Sequence, residues 1–286
     1  MSTKEQAAVA AIGITQRLEP LLAQLSNIGK SFADISTAVN DTHEQSQLLS
    51  ALIDALQLPV TEKIVEVLPP NFLDVRAFAD STGKIVGAKG DGKTDDTAML
   101  QLASDTAAKL GMVCYFSKGR YMVDARKSLR PKFGSEWFHH PESLLCVIPN
   151  AEQRTNCVLI EAVTDVLIHG INIEGDRVKH DYSNPGTEEW GHGIKIIGTC
   201  KRIHIQRFDI RRCHGDGISA SGEDITIVFG KSLENRRQGL TIGGMKHGRI
   251  LWNEFSKTGR LVLPDGSVQA GTAPMAGIDN EPDKNP

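Results

Sequence analysis

Aromatic side chains are scarce in this sequence, at 5% of residues, whereas glycine is plentiful, with 27 in 286 positions. That balance suits a core of stacked aliphatic ladders. Charge of one sign is also missing, since 32 Lys and Arg face 35 Asp and Glu for a net −3. No global field therefore favours nucleic acid or an anionic membrane as a partner. The five cysteines, Cys114, Cys146, Cys157, Cys200 and Cys213, are odd in number, and none sits in a CxxC pair. They read as buried free thiols, without a disulfide framework or a zinc site. No apolar run approaches the roughly 18 residues of a membrane span, so no membrane insertion is expected. Met1–Gln6 is polar and opens no cleavable leader, so synthesis in a cytoplasm is expected, with export by lysis or assembly. No cofactor and no metal ion is expected either.

What is present falls into three stretches. From Leu18, the positions Leu18, Leu21, Leu25, Ile28, Phe32, Ile35, Val39, Thr42, Ser46, Leu49, Ile53 and Leu56 alternate steps of 3 and 4. Ten of the twelve are apolar, which is the seam of a coiled coil. Its mixture of Leu, Ile and Phe fits three strands at least as well as two. Pro20 suits a first helical turn, and Pro59 ends the run. The competing reading is a hairpin within one chain, broken at Asn40-Asp41, with Thr42 and Gln45 as a capping box. The register crosses that break without a slip, which favours an intermolecular bundle.

A junction follows, with Pro69-Pro70 ahead of a glycine-rich loop and an amphipathic helix to about Leu110. Gly87 to Thr94 fits the phosphate-cradling pattern GxxxxGK(S/T). Asp95 and Asp96 would then occupy the helix start, where they repel a phosphate. The remainder of the chain does not alternate strand and helix, so nucleotide binding is not expected.

The third stretch repeats. Gly193, Gly217 and Gly239 set its register, with periods of 24 and 22 residues. Apolar residues alternate within the repeats, as in Ile194 and Ile196, then Ile203 and Ile205. Short alternating strands at this period are the signature of a β-solenoid. Gly277-Ile278 starts another turn and the sequence then stops, which reads as an unfinished solenoid.

The run GAKGDGKTDDTAMLQLASDTA (87–107), followed by VCYFSKGRYMV (113–123), resembles the opening motif of the pectate-lyase-like superfamily. The resemblance implies an all-β right-handed parallel β-helix, in which the short helix caps the open end of the solenoid. With the helical seam in front, the whole is most like a bacteriophage tailspike. The expected organisation is a tip (1–17), a trimerising coiled coil (18–58), a linker (59–73), the opening and cap (74–123) and the rungs (124–286). Resemblance to tailspikes further implies a homotrimer in the phage tail, joined through its N-terminal region to other tail or baseplate proteins. Its ligand would be a bacterial surface polysaccharide, bound and degraded by a hydrolase or lyase reaction. A non-catalytic attachment spike and a free polysaccharide lyase are the alternatives.

Two insertions interrupt the repeats at the same turn, Arg177–Gly191 and Leu261–Met275. Between them one outward row reads Lys195, Ser219, Thr241 and Asp279, and its neighbour reads Ile197, Ser221, Gly243 and Glu281. The small middle residues would form a floor for an extended glycan. Tyr182 and Trp190 in the first insertion are candidates for stacking on sugar rings. Asp279 and Glu281, two residues apart on a strand, would stand roughly 6.6 Å apart, near the lower bound for an inverting carboxylate pair. The turn before the aligned glycines supplies His192, Asp216 and Gln238, with Arg236 and Arg237 beside the last. There "CHGDGI" and "NRRQGLTIGG" resemble polygalacturonase motifs, but Gln238 replaces the family's histidine and a single Asp replaces two. The catalytic candidates are thus Asp216, Asp279, Glu281, Arg237 and His192. The substrate-binding candidates are Trp190, Tyr182, Lys195, Arg236, Ser219 and Thr241. In a lyase, Arg236 or Arg237 would neutralise a uronate, and His192 or Lys195 would take the proton.

Overall fold

The column of aligned glycines explains how the repeat closes. A Cβ on Gly193, Gly217 or Gly239 would lie 2.7, 2.9 or 2.6 Å from the carbonyl oxygen of the glycine one rung on. Only glycine allows backbones to approach so closely. The same spacing lets Ile194 N–H reach Gly217 O at 3.0 Å, and Ile218 N–H reach Gly239 O at 3.1 Å. Rung therefore stacks on rung in the register read from the sequence.

The computed structural model describes residues 71–184 and 189–281. The tip, the coiled coil and most of the linker lie outside the described residues. Within them the chain is a parallel β-helix with three faces. Face 1 stacks Arg154–Glu161, Trp190–Ile197, the start of Ile218–Val228, Leu240–Lys246 and Ile278–Asn280. Face 2 begins with Phe72–Asp74, Val113–Phe116 and Glu136–His139. It continues through Thr164–His169, Lys201–Gln206, the end of Ile218–Val228 and Arg249–Leu251. Face 3 runs from Asp91–Asp95 through Gly119–Val123, Ser143–Val147, Asn172–Glu174, Asp209–Arg211 and Lys231–Leu233 to Glu254–Ser256. All ladders between these strands are parallel, and Ile218–Val228 bends at Ala220/Gly222 to serve two faces.

Inward residues form the expected aliphatic ladders. Ile194 pairs with Ile218, Ile203 with Ile225 and Ile173 with Ile210, all at most 1% exposed. Burial of such side chains, worth about 1.5–3 kcal/mol each, supplies the main stabilisation. Helix α1 (Thr97–Leu110) adds Leu100, Ala103 and Ala107 to this core. It ends at Gly111, whose φ of 62° lets its N–H reach the carbonyls of Ala107 and Ala108.

Single non-glycine residues in the left-handed region turn the corners. Arg202, Asp224 and His247 turn the first, Arg207, Phe229 and Trp252 the second, and Arg212, Glu234 and Lys257 the third, with φ between 53° and 58°. The face 1 strand from Trp190 does not stop at Ile196 but runs on to the outward Ile197. Ile197 pairs with Glu161 and is 39% exposed.

Candidate functional site

The turn before the glycine column and the adjoining face 1 strands bring several charged residues together. Arg237 sits between two acids. Its Nη1 lies 3.4 Å from both carboxylate oxygens of Asp216, and its Nη2 donates to Glu281 Oε1. Gln238 Nε2 donates to Asp279 Oδ2 at 2.7 Å and to Glu281 Oε1 at 3.3 Å. Thr241 Oγ1 contacts both Asp216 Oδ2, at 2.8 Å, and Gln238 Oε1. The register that places Lys195, Ser219, Thr241 and Asp279 in one row delivers these groups to one patch.

The acids in the patch differ in burial. Asp216 is 1% exposed, and the Glu281 side chain is 43% exposed. Burial pushes the Asp216 carboxyl up to about 6, outweighing Arg237 and Thr241, which pull it down. A hydroxyl has one proton to give, and this explains how Thr241 serves two acceptors. When Asp216 is protonated it donates to Thr241, which then donates to Gln238. When it is ionised, Thr241 turns its proton to Asp216.

His192 is also buried, and its Nδ1 accepts the Asp216 N–H at 3.3 Å, which puts its own proton on Nε2. Burial first, then Lys195, His214 and Arg237, hold the ring well below its usual range. It is therefore neutral at pH 7. Trp190 is half-buried, with the Arg154 guanidinium 4.8 Å and the Lys195 ammonium 5.9 Å from its ring. Ser219 is half-buried beside Lys195, whereas Thr241 is buried, so the row is a stepped surface.

Tyr182, in the first insertion, stands beside Arg236 of the turn that precedes Gly239. The Arg236 guanidinium lies 4.1 Å over the Tyr182 ring and its Nε donates to Thr272 Oγ1. The Tyr182 hydroxyl donates to Arg177 O at 3.1 Å, and burial pushes it up to about 12. Arg177 gave no signal in the sequence, yet it ties the two insertions together. Fully buried, it donates to Gln269 Oε1 at 3.0 Å, to Glu234 O at 2.6 Å and to Gly259 O. Gln269 Nε2 returns a bond to Arg177 O at 2.9 Å.

Among the described residues, two groups have donor atoms close enough to hold a cation. In Asp176, His180 and His214 each imidazole Nδ1 already meets its own carboxylate oxygen, at 2.8 and 2.7 Å. The two rings stack at 3.8 Å, so their lone pairs run side by side instead of converging on one point. The exposed group Glu223, Asp224 and His247 already has Lys201 and Lys246 on Glu223.

The glycine-rich loop also has its own occupant. Asp96 accepts the N–H groups of Lys89 and Gly90 at 2.6 and 3.0 Å, and Asp91 accepts those of Lys93 and Thr94, both at 2.8 Å. The amides that would cradle a phosphate are bonded to carboxylates of the same loop. Asp96 stands at the start of α1 but makes no side-chain cap there.

Fold and site together describe a parallel β-helix carrying a carboxylate–guanidinium cluster on one face. Residues 84–132 match the family described as "Rhamnogalacturonase A/epimerase, pectate lyase-like". The uncharacterized protein YclG of Bacillus subtilis is 29% identical over 222 residues, covering 68% of this chain and 36% of that protein. The SPbeta prophage-derived uncharacterized protein YorA of Bacillus subtilis is 34% identical over 116 residues, covering 35% of this chain and 20% of that one. The chain thus spans well under half the length of either relative. Among solved structures, the A-module of mannuronan C-5 epimerase AlgE4 from Azotobacter vinelandii matches with a TM-score of 0.53. It is 21% identical, over 60% of this chain and 50% of that one, a likeness in fold.

Proposed function

We propose that this chain belongs to a phage tailspike that binds a bacterial surface polysaccharide through face 1 and cleaves it there. The observation that carries the reading is the cluster Asp216–Arg237–Glu281, with Asp279 joined through Gln238. It combines an acid that keeps its proton to about pH 6 with two carboxylates nearer solvent. Such a division is what glycoside hydrolysis asks of its acid and its base. In this reading Asp216 is the acid and Asp279 or Glu281 the base that meets the glycan, with Arg237 bridging Asp216 and Glu281. Trp190 and Lys195 hold the chain further along, and the two insertions wall it, with Tyr182 on the first and Arg236 against it. The family named for rhamnogalacturonase and epimerase, and the fold shared with a mannuronan epimerase, support a polysaccharide as ligand. The prophage-derived relative supports a virion setting.

The test is incubation of the full-length protein with host capsule or lipopolysaccharide. New reducing ends are expected, with ultraviolet absorbance from unsaturated sugars only if the reaction is elimination. One observation favours a second reading, an attachment spike without catalysis. Asp279 and Glu281 are both already bonded to neighbouring side chains, so binding without new reducing ends would select it.

The homotrimer is part of the same proposal and rests on the seam from Leu18 to Leu56. Sedimentation equilibrium should give three times the 31.1 kDa chain mass. Leu25→Asp with Ile28→Asp should dissociate or unfold the segment, since each chain would bring two desolvated charges to the axis. A monomer from the unaltered chain would exclude the bundle.

A further inference from the structure

Face 3 carries a groove that the site on face 1 does not use. Two adjoining cavities of about 480 and 410 Å³ share Arg120, Leu144 and Glu174. They lie over the outward side of Gly119–Val123, Ser143–Val147, Asn172–Glu174 and Asp209–Arg211. Register sets their floor, with Arg120 beside Leu144, Met122 beside Cys146 and Cys146 beside Glu174. Cys146 points outward yet is only 5% exposed. The start of the first insertion, Val178 and Lys179, lines the larger cavity and walls it on that side. That segment is held by its own backbone, with Lys179 N–H and His180 N–H on Asp176 O and Asp181 N–H on Asn150 O.

Charge pairing among the described residues leaves two cations of the groove outside any ion pair. Glu142 pairs with Lys118, Asp209 with Arg211, and Glu174 with Arg212, which it shares with Glu234. Asp176 is taken up by His180 and His214. Every carboxylate lining the two cavities thus has a cation or imidazole. Arg120 and Lys179 line the larger cavity as well, and among the described residues neither is in an ion pair. Two unmatched cations above a floor of Met122, Leu144 and Cys146 suit a ligand with an anionic group and an apolar underside. A guanidinium adds a planar fork that matches a carboxylate with two hydrogen bonds.

We propose that this groove is a second saccharide-binding site, specific for a glycan segment that bears a carboxylate, with Arg120 and Lys179 receiving the anion. The saccharide part rests on the polysaccharide reading above, and the anion part stands on the charge pairing alone. Because the strands stack about 4.8 Å apart, the groove crosses four rungs and accommodates several linked sugars. It would hold a chain on the solenoid away from face 1.

The test is calorimetry on the full chain with a tetragalacturonate probe and with neutral maltotetraose, at low and at moderate salt. Tetragalacturonate should bind and weaken as salt rises, and maltotetraose should not bind at this groove. Arg120→Gln and Lys179→Gln should each weaken tetragalacturonate at least tenfold with the melting temperature unchanged, because both side chains lie at the surface. Glu281→Gln, on the other face, should leave this binding intact. Absence of tetragalacturonate binding, equal binding of both probes, or loss with Glu281→Gln and retention with Arg120→Gln would each overturn the proposal. Because the readout is binding, a failure of glycan cleavage on face 1 is scored separately.

Discussion

The opening loop and the face 1 site each hold three acids, and the two sets differ in what satisfies them. Asp91, Asp95 and Asp96 are bonded mainly by backbone N–H groups of their own loop and of the helix start. Asp216, Asp279 and Glu281 are bonded mainly by side chains, namely Arg237, Gln238 and Thr241, from other turns of the solenoid. The N–H groups of Thr94 and Lys93 bring Asp91 down to about 2, whereas burial lifts Asp216 to about 6. An amide cannot move without unfolding its loop, so acids held by amides are structural. Side-chain partners can rearrange around a ligand or a proton, so acids held by them remain available for chemistry.

The largest expected effect tests the proton on Asp216. Ionising it costs the folded state, because its folded value of about 6 stands above its ordinary 3.8. The penalty is absent below about pH 4, grows between 4 and 6, and is complete above 6, where it reaches about 3 kcal/mol. Asp216→Asn removes it. Urea unfolding should therefore show the variant gaining on the natural protein by about that amount as pH rises from 4 to 7. A difference that stays constant with pH would mean that Asp216 carries no such burden.

A somewhat smaller effect is expected in the opening loop. Asp96→Ala leaves the N–H groups of Lys89 and Gly90 without their acceptor, at a cost of about 2 kcal/mol. The melting temperature should fall with no gain of nucleotide affinity, as calorimetry with ATP and magnesium would report. A micromolar affinity in either protein would return the loop to phosphate binding and dissolve the contrast between the two sets.

Much of this arrangement was legible in the sequence, for reasons that also mark where reading stopped. The glycine column fixed the rung register because close approach of backbones admits no other residue, and from it followed the row from Lys195 to Asp279. The cluster of His192, Asp216, Arg237, Asp279 and Glu281 followed from that register. Burial did not follow, because alternation gives the side of a strand and not what lies over it. Thr241 points outward by register and is nevertheless buried. The corners were hidden as well. Arg207, Phe229 and Trp252 adopt left-handed backbone that local preference assigns to Gly or Asn, and the stacking of successive rungs overrides that preference. Arg177 was out of reach because its acceptors lie 57 to 92 positions away and are mostly carbonyls, which no residue pattern encodes.

Next in size is the direct test of the surface acids. Asp279→Ala and Glu281→Ala should each lower glycan cleavage at least tenfold, about 1.4 kcal/mol of transition-state stabilisation. Both lie near solvent at the last described strand, so thermal stability should change little. Cleavage that survives in both variants would reassign them as partners of Arg237 and Gln238 alone.

The smallest effect is expected at Asp224, an acid outside both sets. It turns the corner between faces 1 and 2 with a φ of 54°, and its carboxylate lies 3.5 Å from His247 Nδ1. Both side chains are exposed, and such a pair contributes at most about 1 kcal/mol. Asn tolerates the left-handed backbone as Asp does, so Asp224→Asn should leave cleavage within about twofold and the melting temperature nearly unchanged. Alanine there would cost stability through its backbone without touching cleavage, which makes asparagine the cleaner control. Loss of activity in Asp224→Asn, together with full activity in Glu281→Ala, would move the chemistry from the glycine-column turn to the opposite end of the face 1 strands.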